Sequence, residues 1–232
     1  EIHERLVGSE MCIRDSTNTI ASYWSAFLGT LHAAHRDRKI KENPCPYLER
    51  AETIPTDKVG LSADELIRLA ETPCEVPILK TAFLFSCLTG LRKSDVKTFS
   101  WDMKQPEADG TLYITTRMQK TKQIVHNPIG EEALALIDSD TREGLVFPGF
   151  KDNMTQTPLK QWLKMAGITK NITYHSSRHT YCTLQLEAGT DSRTVQELVG
   201  HKNLTTTQQY LDSVDSRKKE AANRITLKRK TE

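Results

Sequence analysis

Along most of this chain the apolar residues recur at helical spacing, and they change to strand-like runs once only, between Thr111 and Ile129. That single change of period constrains the fold more than any other feature. The two strand-like runs read as a small antiparallel sheet on the edge of a helical domain. The expectation is a mainly α protein with a small antiparallel β-sheet, an α+β arrangement.

Reading from the start, Glu1 to Ser16 shows no clear periodicity and joins abruptly to a good helix. It resembles translated adaptor read-through and is set aside as an unassigned, non-native leader. Thr17 to Lys39 reads as a helix with Ile20, Trp24, Phe27, Leu28 and Leu31 on one face. Asn43-Pro44 and Pro46 break it. Residues 51–60 are polar, contain Pro55, and read as a linker. Ser62 followed by Glu65 is a capping box for the next helix. Pro77 opens another, through Phe83, Phe85 and Leu88 to Thr89-Gly90, and a short one follows from Arg92 to Phe99. Thr111 to Thr116 and Gln123 to Ile129 are the two strands, joined by the basic stretch Arg117 to Lys122. Helical patterns return at Glu131 to Ile137, at Pro158 to Ala166 with Thr157 as its N-cap, at Ser176 to Glu187, at Ser192 to Val199 and near Thr205 to Leu211. Ser213 to Ile225 suits a last helix.

Composition adds exclusions. The net charge is +2, from 32 basic and 30 acidic residues, so the sum does not announce a nucleic-acid partner. The end of the chain is nonetheless basic, with Arg217, Lys218, Lys219, Arg224, Lys228, Arg229 and Lys230. Five cysteines stand far apart without a Cys-x-x-Cys pair, which suggests neither a zinc ribbon nor a disulfide framework and suits a reducing cytoplasm. The most apolar stretch, Ile78 to Leu91, is too short to span a membrane and carries Lys80.

Several polar residues carry possible chemistry, and each alone has an ordinary structural reading. His175 and Arg178 stand at i and i+3, on one face near a helix N-terminus, where an anion is favoured. His175 and His179 have a metal-ligand spacing, but Ser176 stands where a metalloprotease has Glu and no acidic third ligand is evident, so no metal is expected. His179 is then read as packing or hydrogen-bonding internally. Arg92 follows a Gly-Leu turn, Lys120 sits between two strands, His201 follows a Gly suited to end a helix, and Tyr210 by default is a half-buried aromatic.

Taken together, the order Thr89-Gly90-Leu91-Arg92, then Lys120, then His175-x-x-Arg178-His179, then Leu198-Val199-Gly200-His201, then Tyr210 nine residues later resembles the tyrosine recombinases and phage-type integrases. The resemblance covers roughly Leu61 to Leu211. It implies a catalytic domain over 61–225, a basic tail at 226–232, and a remnant of a helical core-binding domain at 17–50, in a chain shortened at its N-terminus. It implies cleavage and rejoining of DNA through a 3′-phosphotyrosyl intermediate on Tyr210, with no metal, ATP or other cofactor. Arg92 and Arg178 would neutralise the phosphate, Lys120 would protonate the leaving 5′-oxygen, with Lys122 as the alternative, His175 would be the general base, and His201 would donate to a phosphate oxygen. Asp95 would support the first arginine. The implied partners are double-stranded DNA and three further copies in a homotetramer on two sites, the chain being a monomer when free and residing in the cytoplasm on nucleoid DNA. The wording around Arg92 suits an integrase of a mobile element. The alternatives are relaxation of the type IB topoisomerase kind and a non-catalytic integrase remnant that only occupies DNA.

Overall fold

The computed structural model describes residues 17–54, 58–106, 112–117, 124–137 and 143–201, together with Thr207 and Tyr210. The chain divides into two compact units, Glu1–Asp57 and Lys58–Glu232.

The first unit holds α1, Thr17–Arg36. Only Ala21 of this helix is buried, and Ile20 and Phe27, on the expected apolar face, are about half exposed. Local polar bonds fold the chain back instead. The Trp24 indole donates to the Glu49 carbonyl at 2.8 Å, and the Asn18 amide both donates to and accepts from the backbone of Ile54. The helix ends three residues before Lys39, the expected end, and Arg38 takes a positive φ of 56° there.

The second unit is mainly α with a small antiparallel sheet, as the single change of period requires. Its helices are α2 (Ala63–Glu71), α3 (Pro77–Thr89), α4 (Lys93–Thr98), α5 (Glu131–Ile137), α6 (Thr157–Met165), α7 (Ser176–Glu187) and α8 (Ser192–Val199). The capping box is formed: the Ser62 hydroxyl accepts from the Glu65 N–H, and the Glu65 carboxylate accepts from the Ser62 N–H. Thr157 is not the cap of α6. It is the first helical residue, and Gln156 precedes it without a side-chain cap bond.

The sheet has three strands rather than two, in the order β1 (Lys104–Pro106), β2 (Leu112–Arg117), β3 (Ile124–Pro128), all antiparallel. The extra strand is three residues of Lys-Gln-Pro with no strand-forming side chains. Its pairing with β2 is a tertiary event that local composition does not encode.

α3 is the centre of the unit. Leu79, Ala82, Phe83, Leu84, Phe85, Ser86 and Cys87 are all buried, and the helix packs against α7 and α5. From Ala82 to Cys87 every position of the helix is buried, so it must be enclosed there, and aromatic side chains do so. Phe83 meets Trp162 and Tyr174 edge-on with ring centres 5.9 and 5.6 Å apart, while Phe85 stacks on Phe99. This core runs from Leu61 to Tyr174. A second, smaller apolar cluster among the described residues consists of Tyr181, Cys182, Leu186, Val195, Val199 and Tyr210.

Where Lys58 opens the second unit, its backbone is fixed to α7. The Leu61 N–H donates to the Thr180 hydroxyl at 2.9 Å, and Gly60 lies so close that a Cβ there would stand 3.0 Å from the Thr180 nitrogen.

Candidate active site around Arg178

Arg178 lies on the first turn of α7 and is 2% exposed. Burying a guanidinium costs heavily unless its donors are satisfied. Two helix ends supply the acceptors. α3 ends in Gly90 at φ 70°, and α8 ends in Gly200 at φ 61°, left-handed conformations that favour glycine. Carbonyls at those ends lack intrahelical partners and carry the negative end of the helix dipole. Arg178 Nη1 donates to Gly90 O at 2.8 Å, and Nη2 donates to Val199 O. Both glycines were expected as helix ends, and together they explain how Arg178 is held inside the protein. Burial and the neighbouring Arg92 push the Arg178 guanidinium down to about 10, still well above neutrality, so it stays charged. A guanidinium has five N–H donors, and these two bonds leave three for an anion.

Arg92 sits at the N-cap position of α4, just after that Gly90 turn, and is half-buried. The Asp95 carboxylate, 2% exposed, accepts from the Arg92 N–H at 3.3 Å and lies 4.0 Å from its guanidinium. One carboxylate thereby fixes the start of α4 and faces the arginine. Arg92 thus follows the same Gly90 turn whose carbonyl Arg178 holds, and Tyr210 meets α7 one residue further on, at His179.

His201 follows the Gly200 turn. Its Nδ1 is 2.9 Å from the Thr207 hydroxyl. Burial, then the positive charges of Arg178 and Arg92, push the imidazole down to about 3, so it is neutral at ordinary pH. The Asn127 amide at the end of β3 donates to the Leu198 carbonyl, tying the hairpin's base to the end of α8 beside His201.

His175 is the exposed residue before α7, and its ring meets that of His179 at right angles, 4.7 Å between centres. Tyr210 is 2% exposed and belongs to the small apolar cluster. Its hydroxyl is 2.6 Å from His179 Nδ1, and the Lys58 ammonium sits 4.7 Å above its ring. Burial pushes the Tyr210 phenol up. Burial, then His175, Lys58 and Arg178, push His179 down to about 4. Cys182, buried next to them, is pushed up to about 11 by burial.

Arg92, Arg178, His175, His201 and Tyr210 thus lie around the start of α7 and the ends of α3 and α8. Lys120 and Lys122 lie outside the described residues. Among the described residues, no group of three or more His, Cys, Asp or Glu side chains is arranged to hold a metal ion. No described helix is long and apolar enough to cross a membrane. Sequence reasoning gave His179 an internal hydrogen bond without its partner, and did not single out Lys58. For His179 a signal was present, since positions 175 and 179 share a helix face. For Lys58 there was none, because its meeting with Tyr210 joins residues far apart in the chain.

Three comparisons bear on this arrangement. The model of the Phage integrase family matches residues 60–217. The tyrosine recombinase XerC of Xanthomonas axonopodis pv. citri (strain 306) is 30% identical over 164 residues, covering 65% of this chain and 52% of that protein. The chain thus spans about half the length of this curated relative. Among solved structures, that of XerA recombinase is 25% identical with a TM-score of 0.57, covering 77% of this chain and 66% of that one. A lambda integrase (75–356) dimer bound to a COC′ core site shares the fold at a TM-score of 0.64 and 21% identity, over 93% of this chain and 78% of that one.

Proposed function

This chain belongs to the phage integrase family, and on that premise we propose that it cleaves and rejoins double-stranded DNA with Tyr210 as nucleophile, as a site-specific tyrosine recombinase of a mobile element. The observation that carries the reading is the surroundings of Arg178. Two guanidiniums, a neutral imidazole and a tyrosine gather there, on elements fixed by helix ends.

The chemistry follows from those groups. The Tyr210 oxygen attacks phosphorus, a bond to the 3′-phosphate forms, and the bond to the 5′-oxygen breaks. The phosphodiester energy is kept in the covalent intermediate, so a 5′-hydroxyl can reverse the step without ATP. Charge grows on the two non-bridging oxygens, where Arg92 and Arg178 present fixed donor forks. His201, with its Nδ1 engaged by Thr207, turns its other ring nitrogen to a phosphate oxygen. The departing 5′-oxygen takes its proton from Lys120. His175, exposed at the mouth of the site, takes the tyrosine proton. Asp95 orients Arg92. The assembly that exchanges strands is a tetramer on two duplexes, acting on DNA in the cytoplasm.

The test is covalent trapping. The chain is incubated in chelator with a nicked suicide duplex made from DNA flanking its gene, beside Tyr210→Phe, and run on a denaturing gel. A protein–DNA band that requires Tyr210 supports the reading. A band that persists in Tyr210→Phe, or that chelator abolishes, overturns it. Transfer of the trapped strand to a second duplex separates recombination from simple relaxation.

A further inference from the structure

The tyrosine read as nucleophile is closed off from DNA where it lies. Its hydroxyl is buried and bonded to His179, and Arg178, the group that would hold the phosphate, is equally buried. We propose that His179 is a positioning residue of Tyr210: its Nδ1 shares a hydrogen bond with the hydroxyl and, with Lys58 over the ring, keeps the nucleophile stowed in the free chain until DNA draws it out. This rests on the reading of Tyr210 as nucleophile.

Three observations support a holding role over a base role for His179. The 2.6 Å contact is short, and it ties Tyr210, a member of the small cluster, to a side chain of α7 that stands 31 positions earlier. The tyrosine ring is held on a second side by the Lys58 ammonium, so both its polar end and its face are engaged. Burial also raises the proton affinity of the Tyr210 oxygen and lowers that of His179, so the proton stays on oxygen and the phenol remains un-nucleophilic where it lies. His175, Lys58 and Arg178 around His179 all act against its protonation. Withdrawing the tyrosine from His179 is then a step before cleavage. Among the described residues, the cluster that holds it is separate from the main core and has fewer buried side chains, so opening it locally costs less than opening the core.

The experiment is nitration of the full chain by tetranitromethane without DNA, each tyrosine followed by peptide mass. Nitration needs an accessible phenolate. Tyr23 and Tyr47, 66% and 90% exposed, report the free rate, and buried Tyr174 reports that the fold is intact. In the unaltered chain Tyr210 reacts at least about tenfold more slowly than Tyr23 and Tyr47. His179→Phe, which keeps a ring but cannot hydrogen-bond, raises the Tyr210 rate about fivefold or more, while His179→Gln, which can still donate or accept, stays within about twofold. Lys58→Met gives a smaller rise and serves as the second variant if His179→Phe exposes Tyr174. Equal rates for Tyr210 and Tyr47 in the unaltered chain would overturn the proposal. So would a protected Tyr210 in His179→Phe with Tyr174 still protected. The readout needs no catalysis, so failure of Tyr210 to trap DNA would sink the nucleophile reading and leave the holding contact standing.

Discussion

Among the described residues the second unit has two apolar clusters that differ greatly in size, and the candidate site is divided between them. The large core carries α3 and α4, and with them the turn of Gly90, Arg92 and Asp95. The small cluster carries Tyr210 against α7 and α8. The parts that neutralise charge must not move during a reaction, since preorganisation is what makes them effective. On the proposed reading the part that attacks is Tyr210, which starts buried and so must move. Under that proposal one domain meets both demands, with the proposed charge-holding groups on its main core and the proposed nucleophile on a satellite. Arg178 joins the two, with one donor on Gly90 at the end of α3 and another on Val199 at the end of α8.

The strongest way to break this comparison is to damage the large core. Phe83→Ala removes a fully buried ring that touches Trp162 and Tyr174. It should cost about 3–5 kcal/mol in urea unfolding. Val195→Ala in the satellite should cost about 2 kcal/mol and raise hydrogen exchange mainly in α8. Equal global losses from the two would erase the distinction.

Arg178→Lys tests the joint. An ammonium cannot span two carbonyls and a phosphate with a rigid fork. Trapping of Tyr210 on DNA should fall about 10²- to 10³-fold, with a lower melting temperature measured in parallel. A loss of less than tenfold would remove Arg178 from the centre of the site.

A third expectation concerns pH. His179 and His201 are held down to about 4 and about 3, below the ordinary value near 6.5. Between those values the unfolded chain binds more protons than the folded one, so stability rises with pH. The contribution is fully present above about pH 6.5 and is lost as pH falls toward 4 and then 3. Melting temperature should therefore drop across that window, and drop less in the double variant His179→Gln, His201→Gln. At the small end, Arg193→Ala breaks only an exposed pair with Glu197 on α8. It should change stability by less than about 0.5 kcal/mol and leave trapping unaltered.

Much of the fold was legible because its signals are local. The Ser62–Glu65 box, Pro77 at the start of α3 and the glycines at 90 and 200 each act within one turn of their own position. β1 was not legible, since Lys104 to Pro106 becomes a strand only through β2. The apolar face assigned to α1 was only partly informative: Ile20 and Phe27 repeat at helical spacing yet remain about half exposed. In the site, the spacing of His175 and Arg178 was readable, but not where Arg178 turns. Proximity to an N-terminus suggested an anion, whereas its guanidinium is held by the C-terminal carbonyls of two other helices. The Tyr210–His179 bond joins positions 31 apart, and the depth of Tyr210 is likewise set by packing.

The central claim is that Tyr210, lying next to Arg178, takes up the DNA phosphate. The most direct measurement is to digest the trapped protein–DNA adduct with protease and nuclease and to locate the phosphonucleotide by peptide mass. The account predicts the added mass on Tyr210, joined to a 3′-phosphate, and none in Tyr210→Phe. The same mass on another residue, or a 5′-phosphate linkage, would contradict it.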